Sequence, residues 1–174
     1  MAEARGKWYN NWVIFPGEGE KKMIIGFGND HAAVALKKAM MEHVASLGHE
    51  CIDYGAQEGE KMDYPVPGKA VAEAVLRGEI DKGILICGTG IGISIAANKV
   101  PGIRAAACSE PFSARLCVEH NNCQIVAFGA RVVGEGTARD IVDAFLSAEF
   151  EGGRHAARVE LIGAIDAAYC RTEE

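Results

Sequence analysis

The sequence has 174 residues, a formal net charge of −6 and a hydrophobic fraction of 49%, which suits one globular domain of ordinary core size. The acidic balance disfavours a general nucleic-acid-binding protein. No apolar run approaches the roughly 20 residues that span a bilayer, and residues 1–22 lack the apolar stretch of a signal peptide. The six cysteines show no paired spacing, so we expect free thiols and a cytoplasmic location.

The first 22 residues differ from the rest of the chain. They hold both tryptophans, Trp8 and Trp12, followed by the polar, glycine-bearing stretch 16–22. We predict a flexible extension over residues 1–22 that is dispensable for catalysis, with a single domain over 23–174 ending in a helix. The alternative is that the two tryptophans anchor the extension on a neighbouring subunit.

From residue 23 onward, short apolar runs alternate with segments of helical periodicity. The patterns predict strands at 23–28 and 50–54, a third that ends at residue 87, and two more at 103–108 and 124–128. They predict helices at about 34–47, 66–77, 93–99, 111–119, 136–146 and 154–169. This alternation predicts the α/β class, as a Rossmann-like, three-layer α/β/α sandwich with a five-stranded parallel sheet.

Polar clusters follow the first and third predicted strands. Ligands of such sheets bind beyond the carboxyl ends of the strands, where the strand order reverses. With the order 2-1-3-4-5, that point lies between strands 1 and 3. Asn29, Asp30 and His31 follow strand 1, and the stretch Cys87–Gly90 ends strand 3. The sequence therefore predicts a ligand site between these two clusters.

The stretch that ends strand 3 combines a thiol with closely spaced glycines. Cys87 is followed by Gly88, Thr89, Gly90 and Gly92, and then by a predicted helix. The glycines allow backbone N–H groups to turn inward, and the positive end of a helix points at the same place. The pattern matches neither a Walker loop nor a dinucleotide fingerprint. It predicts chemistry that passes through an oxyanion, the alternative being a plain strand-to-helix turn.

Two histidines, each next to another polar residue, are candidates for proton transfer. Asp30 and His31 lie at the expected ligand edge, although an aspartate there also suits a helix cap. His120 and Asn121 end the fourth predicted helix, where a purely structural histidine is the alternative.

Arginines near the last helix suit a phosphate group. Arg154 and Arg158 are four residues apart after a glycine pair, on one helix face, and Arg131 after strand 5 can join them. The alternative is a solvated charged face that pairs with acids such as Glu160. The sequence has no H-x-x-x-H or paired-cysteine spacing, so we expect no metal and no cofactor.

Stretches in family order resemble ribose-5-phosphate isomerases of the B type, a group that also includes galactose-6-phosphate and allose-6-phosphate isomerase subunits. The resemblance covers nearly all of residues 23–166. The matching stretches are Gly28–His31, Asp63–Pro65, Ile84–Ser94, Ala96–Lys99, Gly102–Ala105, His120–Asn121, Phe128–Arg131 and Glu151–His155.

This resemblance implies a metal-independent aldose–ketose isomerase, an intramolecular oxidoreductase that interconverts ribose 5-phosphate and ribulose 5-phosphate through a cis-enediolate in the pentose phosphate pathway. It implies a homodimer or a dimer of dimers with shared active sites. In this resemblance, Cys87 is the base, and the enediolate is stabilised by Thr89 and by the amides of Gly88, Gly90 and Gly92. His120 opens the sugar ring with the help of Asp30, and the sugar contacts are Asn121 and Tyr64. The residues of the phosphate clamp are His31, Arg131, Arg154 and Arg158.

Three other functions remain open at the level of sequence. The substrate of a related isomerase would be allose 6-phosphate, galactose 6-phosphate or a tetrulose phosphate, and pocket size decides between them. A non-catalytic sugar-phosphate sensor would favour loss of Cys87 or His120, and both are present. A flavodoxin-like electron carrier needs a hydroxyl-rich loop after strand 1, where this chain has Asn29 to His31.

Overall fold

The computed structural model describes residues 22–169, so the extension predicted for residues 1–22 lies almost wholly outside the described part, as do residues 170–174. Five strands alternate with six helices. The strands are β1 (Ile24–Asn29), β2 (Glu50–Asp53), β3 (Lys82–Cys87), β4 (Ala105–Ala107) and β5 (Ile125–Gly129). The helices are α1 (Val34–Ser46), α2 (Pro65–Leu76), α3 (Ile91–Ala97), α4 (Pro111–Glu119), α5 (Glu135–Ser147) and α6 (Arg154–Tyr169). Between residues 22 and 169, no helix is long and apolar enough to cross a bilayer.

The strands form one parallel sheet in the order β2-β1-β3-β5-β4, which confirms the predicted α/β class. The order expected for the last two strands was wrong, because β5 pairs with β3 and β4 is the outermost strand, paired with β5. Burial explains the exchange. All five residues of β5 are buried, as a central strand requires, whereas β4 has two half-buried residues and an exposed one, Ala107.

Helices cover both faces of the sheet. On one face α1, α4 and α5 enclose a core around Phe27, Phe128 and Phe145, all nearly or fully buried. On the other face α2 and α3 pack against the sheet through residues such as Val71 and Ile93. The predicted three-layer arrangement follows from these two cores.

Helix α6 differs from the other five because it is almost entirely exposed. Of its residues only His155 is buried, while Leu161, Ile165 and Tyr169 are 68%, 60% and 84% exposed. A carboxylate oxygen of Asp166 accepts a hydrogen bond from the Gly102 amide at 2.9 Å. The apolar side chains of α6 are therefore left uncovered by the described part of their own chain.

The sheet has two edges that matter for the site. The carboxyl edge is where the parallel strands end, and the amino edge is where they begin. Each crossover helix runs back from the first to the second, so the end of α4 at Glu119 lies at the amino edge, shortly before β5 begins at Ile125. A strand of six residues such as β3 spans about 20 Å, at about 3.3 Å per residue, which separates the two edges.

Candidate functional site

The glycine turn holds its thiol in a fixed position. Cys87 ends β3 and is 4% exposed, and its sulfur accepts a hydrogen bond from the Gly90 amide at 3.2 Å. Gly90 has φ +79°, and a Cβ there would lie 2.7 Å from the Phe128 backbone. Only glycine fits this left-handed, crowded position. The turn thus places an N–H donor beside the sulfur, where it stabilises negative charge.

The turn leads directly into α3. This helix begins at Ile91, two residues before the predicted start, because Gly90 makes the whole reversal by itself. The first N–H groups of a helix have no acceptor within it, and those of α3 belong to the stretch that includes Gly92. Thr89 is exposed beside them, and its hydroxyl accepts from the Ile91 amide at 3.4 Å. Backbone donors and a hydroxyl therefore gather next to Cys87.

The end of β1 contributes a carboxylate and an imidazole to the same edge. Asp30 donates its backbone N–H to the Ile86 carbonyl at 3.3 Å, which ties it to β3. One carboxylate oxygen accepts from the Ala32 amide at 2.9 Å, which closes a turn before α1. The N-cap of α1 is Ala33 and no side chain caps it, so the alternative of a helix-capping Asp30 is wrong. His31 is exposed, and its Nδ1 lies 3.2 Å from the Met62 carbonyl. This contact leaves Nε2 of His31 available to a ligand.

Tyr64 and Arg131 complete the carboxyl edge. The Tyr64 ring covers Gly92, since a Cβ at that glycine would lie 2.9 Å from ring atoms. Arg131 donates its backbone N–H to the Gly88 carbonyl at 3.1 Å, and its guanidinium lies against Gly88. Arg131 reaches the glycine turn because β5 pairs with β3, a neighbour relation that the expected strand order missed.

At the amino edge, His120 lies among side chains from a distant part of the sequence. Its ring stacks on that of His155, with centroids 4.2 Å apart and planes 5° from parallel. Nε2 of His120 lies 3.9 Å from the Glu151 carboxylate, and Nε2 of His155 lies 3.5 Å from it. The backbone of this region is joined by a hydrogen bond from the Glu151 amide to the Glu119 carbonyl at 3.0 Å.

Arginines surround this histidine pair. Arg154 donates from Nε to Nε2 of His155 at 3.3 Å. Burial, and then the positive charges of His120 and Arg154, lower the pKa of His155 below its usual value, against a smaller opposing effect of Glu151. Arg158 also contributes to this lowering, so its charge is close by. Two cations at the start of an exposed helix suit a phosphate group.

One chain therefore carries the predicted site residues as two separate clusters. The carboxyl-edge cluster consists of Asp30, His31, Tyr64, Cys87, Gly88, Thr89, Gly90, Gly92 and Arg131. The amino-edge cluster consists of His120, Asn121, Arg154 and Arg158, joined by Glu151 and His155. Asn121 belongs to the second cluster by its place next to His120 in the chain, and its backbone carbonyl accepts a hydrogen bond from Nε of Arg104 at 2.9 Å. Within one chain, the structure places the two clusters at opposite ends of the strands.

Glu151 and His155 were given no role from the sequence. They belong to the stretch Glu151–His155, which is one of the stretches that carry the family resemblance. Their spacing carries no helical signal, because Gly152 and Gly153 have positive φ and α6 begins only at Arg154. Their contact with His120 depends on tertiary structure, which no spacing reveals.

Comparisons with known proteins show the family to which this chain belongs. Residues 25–162 match the family model described as Ribose/Galactose Isomerase. The chain is 55% identical to ribose-5-phosphate isomerase B of Escherichia coli over 142 residues, which are 82% of this chain and 95% of that protein. It is 45% identical to the D-erythrulose-4-phosphate isomerase of Pectobacterium atrosepticum, over 80% of this chain and 92% of the relative.

Solved structures show the same fold. The ribose-5-phosphate isomerase B of Clostridium thermocellum superposes with a TM-score of 0.83 at 55% identity, over 84% of this chain and 99% of that one. The ribose-5-phosphate isomerase B of Mycoplasma genitalium, solved with bound ribulose-5-phosphate, superposes with a TM-score of 0.78 at 37% identity, over 83% of this chain and 96% of that one.

Proposed function

Because this chain belongs to the ribose/galactose isomerase family, we propose that it is an aldose–ketose isomerase that interconverts ribose 5-phosphate and ribulose 5-phosphate in the pentose phosphate pathway. The observation that carries this proposal is the position of Cys87, a thiol held beside backbone donors at the mouth of the glycine turn. The 55% identity to a ribose-5-phosphate isomerase B supports the choice of substrate.

The chemistry of the proposed reaction fits the glycine turn. Cys87, as a thiolate, takes the proton from C2 of the open-chain aldose, and the C1 carbonyl oxygen becomes an enediolate oxygen. Thr89 and the N–H groups of Gly88 to Gly92 donate hydrogen bonds to this developing charge, and a donor of this kind contributes about 3–4 kcal/mol. The proton of the C2 hydroxyl passes to the C1 oxygen, and Cys87 returns the proton that it took from C2 to C1. The C2 oxygen thus becomes the carbonyl of the ketose, and no cofactor is needed.

The amino-edge cluster supplies the remaining steps in this proposal. His120 opens the sugar ring by moving a proton between the ring oxygen and the anomeric hydroxyl, with Asp30 assisting at the sugar hydroxyls. Asn121 and Tyr64 contact the sugar. The phosphate is held by His31, Arg131, Arg154 and Arg158.

We further propose that two chains share each active site. Cys87 and His120 act on the same sugar, yet they lie at opposite edges of the sheet in one chain. A homodimer, alone or within a dimer of dimers, brings the carboxyl edge of one chain to the amino edge of the next. Exposed apolar side chains on both sides support this contact, Ile91 and Ile95 on α3 and Leu161 and Ile165 on α6. Light scattering of the purified protein measures the expected mass.

The cytoplasm is the proposed location. The five cysteines of the described region are free thiols, as a reducing compartment allows, and the proposed substrate is an intermediate of central metabolism. Fractionation of cells that express the full chain tests this proposal, with the protein expected in the soluble fraction.

A second candidate substrate is another phosphorylated sugar, because relatives that act on different sugars are also similar. One is the D-erythrulose-4-phosphate isomerase at 45% identity, and another is a galactose-6-phosphate isomerase subunit of Clostridium acetobutylicum at 41%. Allose 6-phosphate belongs to the same group of candidates. The catalytic steps are the same for each, and only the fit of the sugar differs.

A substrate panel tests the proposed function. Ribose 5-phosphate, allose 6-phosphate, galactose 6-phosphate and erythrulose 4-phosphate are compared by kcat/KM with the purified full chain. We expect ribose 5-phosphate to exceed each of the others by about tenfold or more, about 1.4 kcal/mol in transition-state stabilisation. A higher kcat/KM for another sugar contradicts the substrate, and no turnover of any sugar contradicts the isomerase itself.

A further inference from the structure

The histidine expected to open the sugar ring is stacked on a second histidine. The His120 side chain is 34% exposed, so one side of it is open to a ligand. The other side is covered by His155, which is 4% exposed and lies almost parallel at 4.2 Å between centroids. The buried ring therefore determines the plane in which His120 presents its nitrogens.

The protonation state of His155 follows from its partner. Arginine has N–H donors and no acceptor, so the 3.3 Å contact from Nε of Arg154 requires a lone pair on Nε2 of His155. A histidine with a free lone pair on Nε2 is neutral, with its proton on Nδ1. The lowered pKa of His155 agrees with this state. His120 thus stacks on an uncharged ring.

Glu151 completes the environment of the pair. Its carboxylate lies 3.9 Å from Nε2 of His120 and 3.5 Å from Nε2 of His155, which is farther than the 3.3 Å between that nitrogen and Nε of Arg154. Glu151 is 54% exposed, so water weakens its attraction for either ring. The guanidinium of Arg154 is therefore the partner that decides which nitrogen of His155 carries the proton.

Donor atoms of His120, Glu151 and His155 all lie within 4.8 Å of one another, a set that zinc also accepts. Two observations weigh against a metal site. Parallel stacked rings do not direct both lone pairs at one point, and the lone pair on Nε2 of His155 is already engaged by a guanidinium. The geometry suits an imidazole pair better than a coordination sphere.

Arg154 connects this pair to the phosphate site. Its contact with His155 uses only Nε, which leaves the N–H groups of Nη1 and Nη2 free to bind a phosphate in the proposed clamp. One guanidinium can therefore hold the phosphate and fix His155 at the same time. The order of contacts runs from phosphate to Arg154, to His155 and then to His120.

We propose that His155 is a positioning residue of the ring-opening step: a neutral imidazole, fixed by the phosphate-binding Arg154, that holds the ring of His120 in its working orientation. This inference rests on the proposed function of His120. It predicts that loss of the His155 ring impairs reactions that begin from a cyclic sugar, and spares proton transfer on a sugar that is already open.

The kinetic test compares two reactions in each variant. One is isomerisation of cyclic ribose 5-phosphate. The other is deuterium uptake from D₂O into ribulose 5-phosphate, which has no ring to open. We expect His155→Ala to slow the first by about tenfold or more and the second by less than about threefold. His155→Phe, which keeps a flat neutral ring, should restore the first reaction to within about threefold of wild type.

His155→Gln serves in place of the alanine variant if the latter does not fold, since it can accept from Arg154 but has no ring to stack. Equal slowing of both reactions by alanine or glutamine, or a phenylalanine variant as slow as they are, overturns the positioning role. A wild-type protein without either activity would instead contradict the proposed function. The protonation state of His155 can be measured without any activity.

The imidazole ¹⁵N spectrum of the full-length wild-type protein reports the state of His155 directly. We expect a neutral ring at pH 7 with the proton on Nδ1, and a shift towards protonation at the same pH in Arg154→Gln. A wild-type His155 that is protonated, or that carries its proton on Nε2, overturns the proposed arrangement whatever the substrate is.

Discussion

The two edges of the sheet position their functional groups in different ways. At the carboxyl edge, the Cys87–Gly92 turn positions its groups through backbone geometry, with Gly90 in a conformation and a space that no other residue fits. At the amino edge, long side chains on an exposed helix meet His120. We infer that the first edge carries the fixed electrostatics of the reaction. In the proposed reaction, the second edge supplies the groups that bind the phosphate and move protons, and it faces the first edge of another chain.

The largest effect should come from the thiol of the carboxyl edge. Cys87→Ser keeps the shape of the site but replaces a thiol by a hydroxyl that ionises far less readily. We expect a loss of about 10²–10⁴-fold in kcat, both for isomerisation and for deuterium uptake from D₂O. Cys51→Ser is the matched control, because Cys51 is a free, partly buried thiol outside both clusters, and it should keep near-normal turnover. Near-normal turnover of Cys87→Ser would contradict the role of Cys87 as the base.

The backbone of the same edge should be nearly as sensitive. Gly90→Ala forces a side chain into φ +79° and against the Phe128 backbone, which should cost about 2–4 kcal/mol of unfolding free energy. It should also lower kcat by about 10²-fold as the donors beside Cys87 move. Gly136→Ala is the control, because a Cβ there meets nothing within 4 Å. Urea unfolding and turnover measure both effects, and a Gly90→Ala variant with the properties of the control contradicts a backbone-built edge.

Side chains of the amino edge should be replaceable without unfolding the protein. Arg158→Gln removes one member of the proposed phosphate clamp from an exposed helix, so we expect KM to rise about tenfold with little change in stability. Arg77→Gln removes an arginine that pairs with Glu79 instead, and should leave KM unchanged. An unchanged KM in Arg158→Gln would take this arginine out of the clamp.

The smallest expected effect is a pH dependence of stability from His155. Because the folded state lowers the pKa of His155, mainly through burial, the unfolded chain takes up this proton first as the pH falls. Stability should therefore decline as the pH drops below about 6.5, the ordinary value for histidine. Urea unfolding of wild type and His155→Phe at one protein concentration measures the difference. The variant should gain relative to wild type between pH 7 and 5, and a constant gap would contradict the lowered pKa.

Local patterns in the sequence were enough for the elements and for the Cys87–Gly92 turn of the carboxyl edge. The run that ends at Cys87 is apolar, the glycines follow at once, and a turn of this kind involves only neighbouring residues. The bounds of α6 were likewise predicted from its own periodicity. The assembly of the elements was not local. Nothing within the Ala105–Ala107 strand indicates that it is the outermost strand rather than the neighbour of β3. The predicted strand order was therefore wrong, and the contact of Arg131 with the glycine turn was not foreseen.

The amino-edge cluster was harder to predict for a related reason. His120 and His155 are 35 positions apart in the sequence. Their rings stack because α4 ends and α6 begins at the same edge of the sheet. Each residue was visible in the sequence, but their contact was not. The separation of Cys87 from His120 follows from the direction of the strands, and it is the main reason to expect shared sites.

Subunit complementation tests that central claim most directly. Cys87→Ala and His120→Ala chains are mixed in equal amounts under conditions where subunit exchange is demonstrated, and isomerisation of cyclic ribose 5-phosphate is measured. In half of the dimers the two variants meet, and one of the two sites then combines an intact carboxyl edge with an intact amino edge. A mixture of Cys87→Ala with Thr89→Ala is the control, because both changes damage the same edge and no site is complete.

A shared active site predicts recovery of about a quarter of wild-type activity in the first mixture, since half of the dimers have one working site of two. It predicts no recovery beyond the average of the separate variants in the control. An absence of recovery in the first mixture, with exchange demonstrated, would contradict the claim that each active site takes one edge from each of two chains.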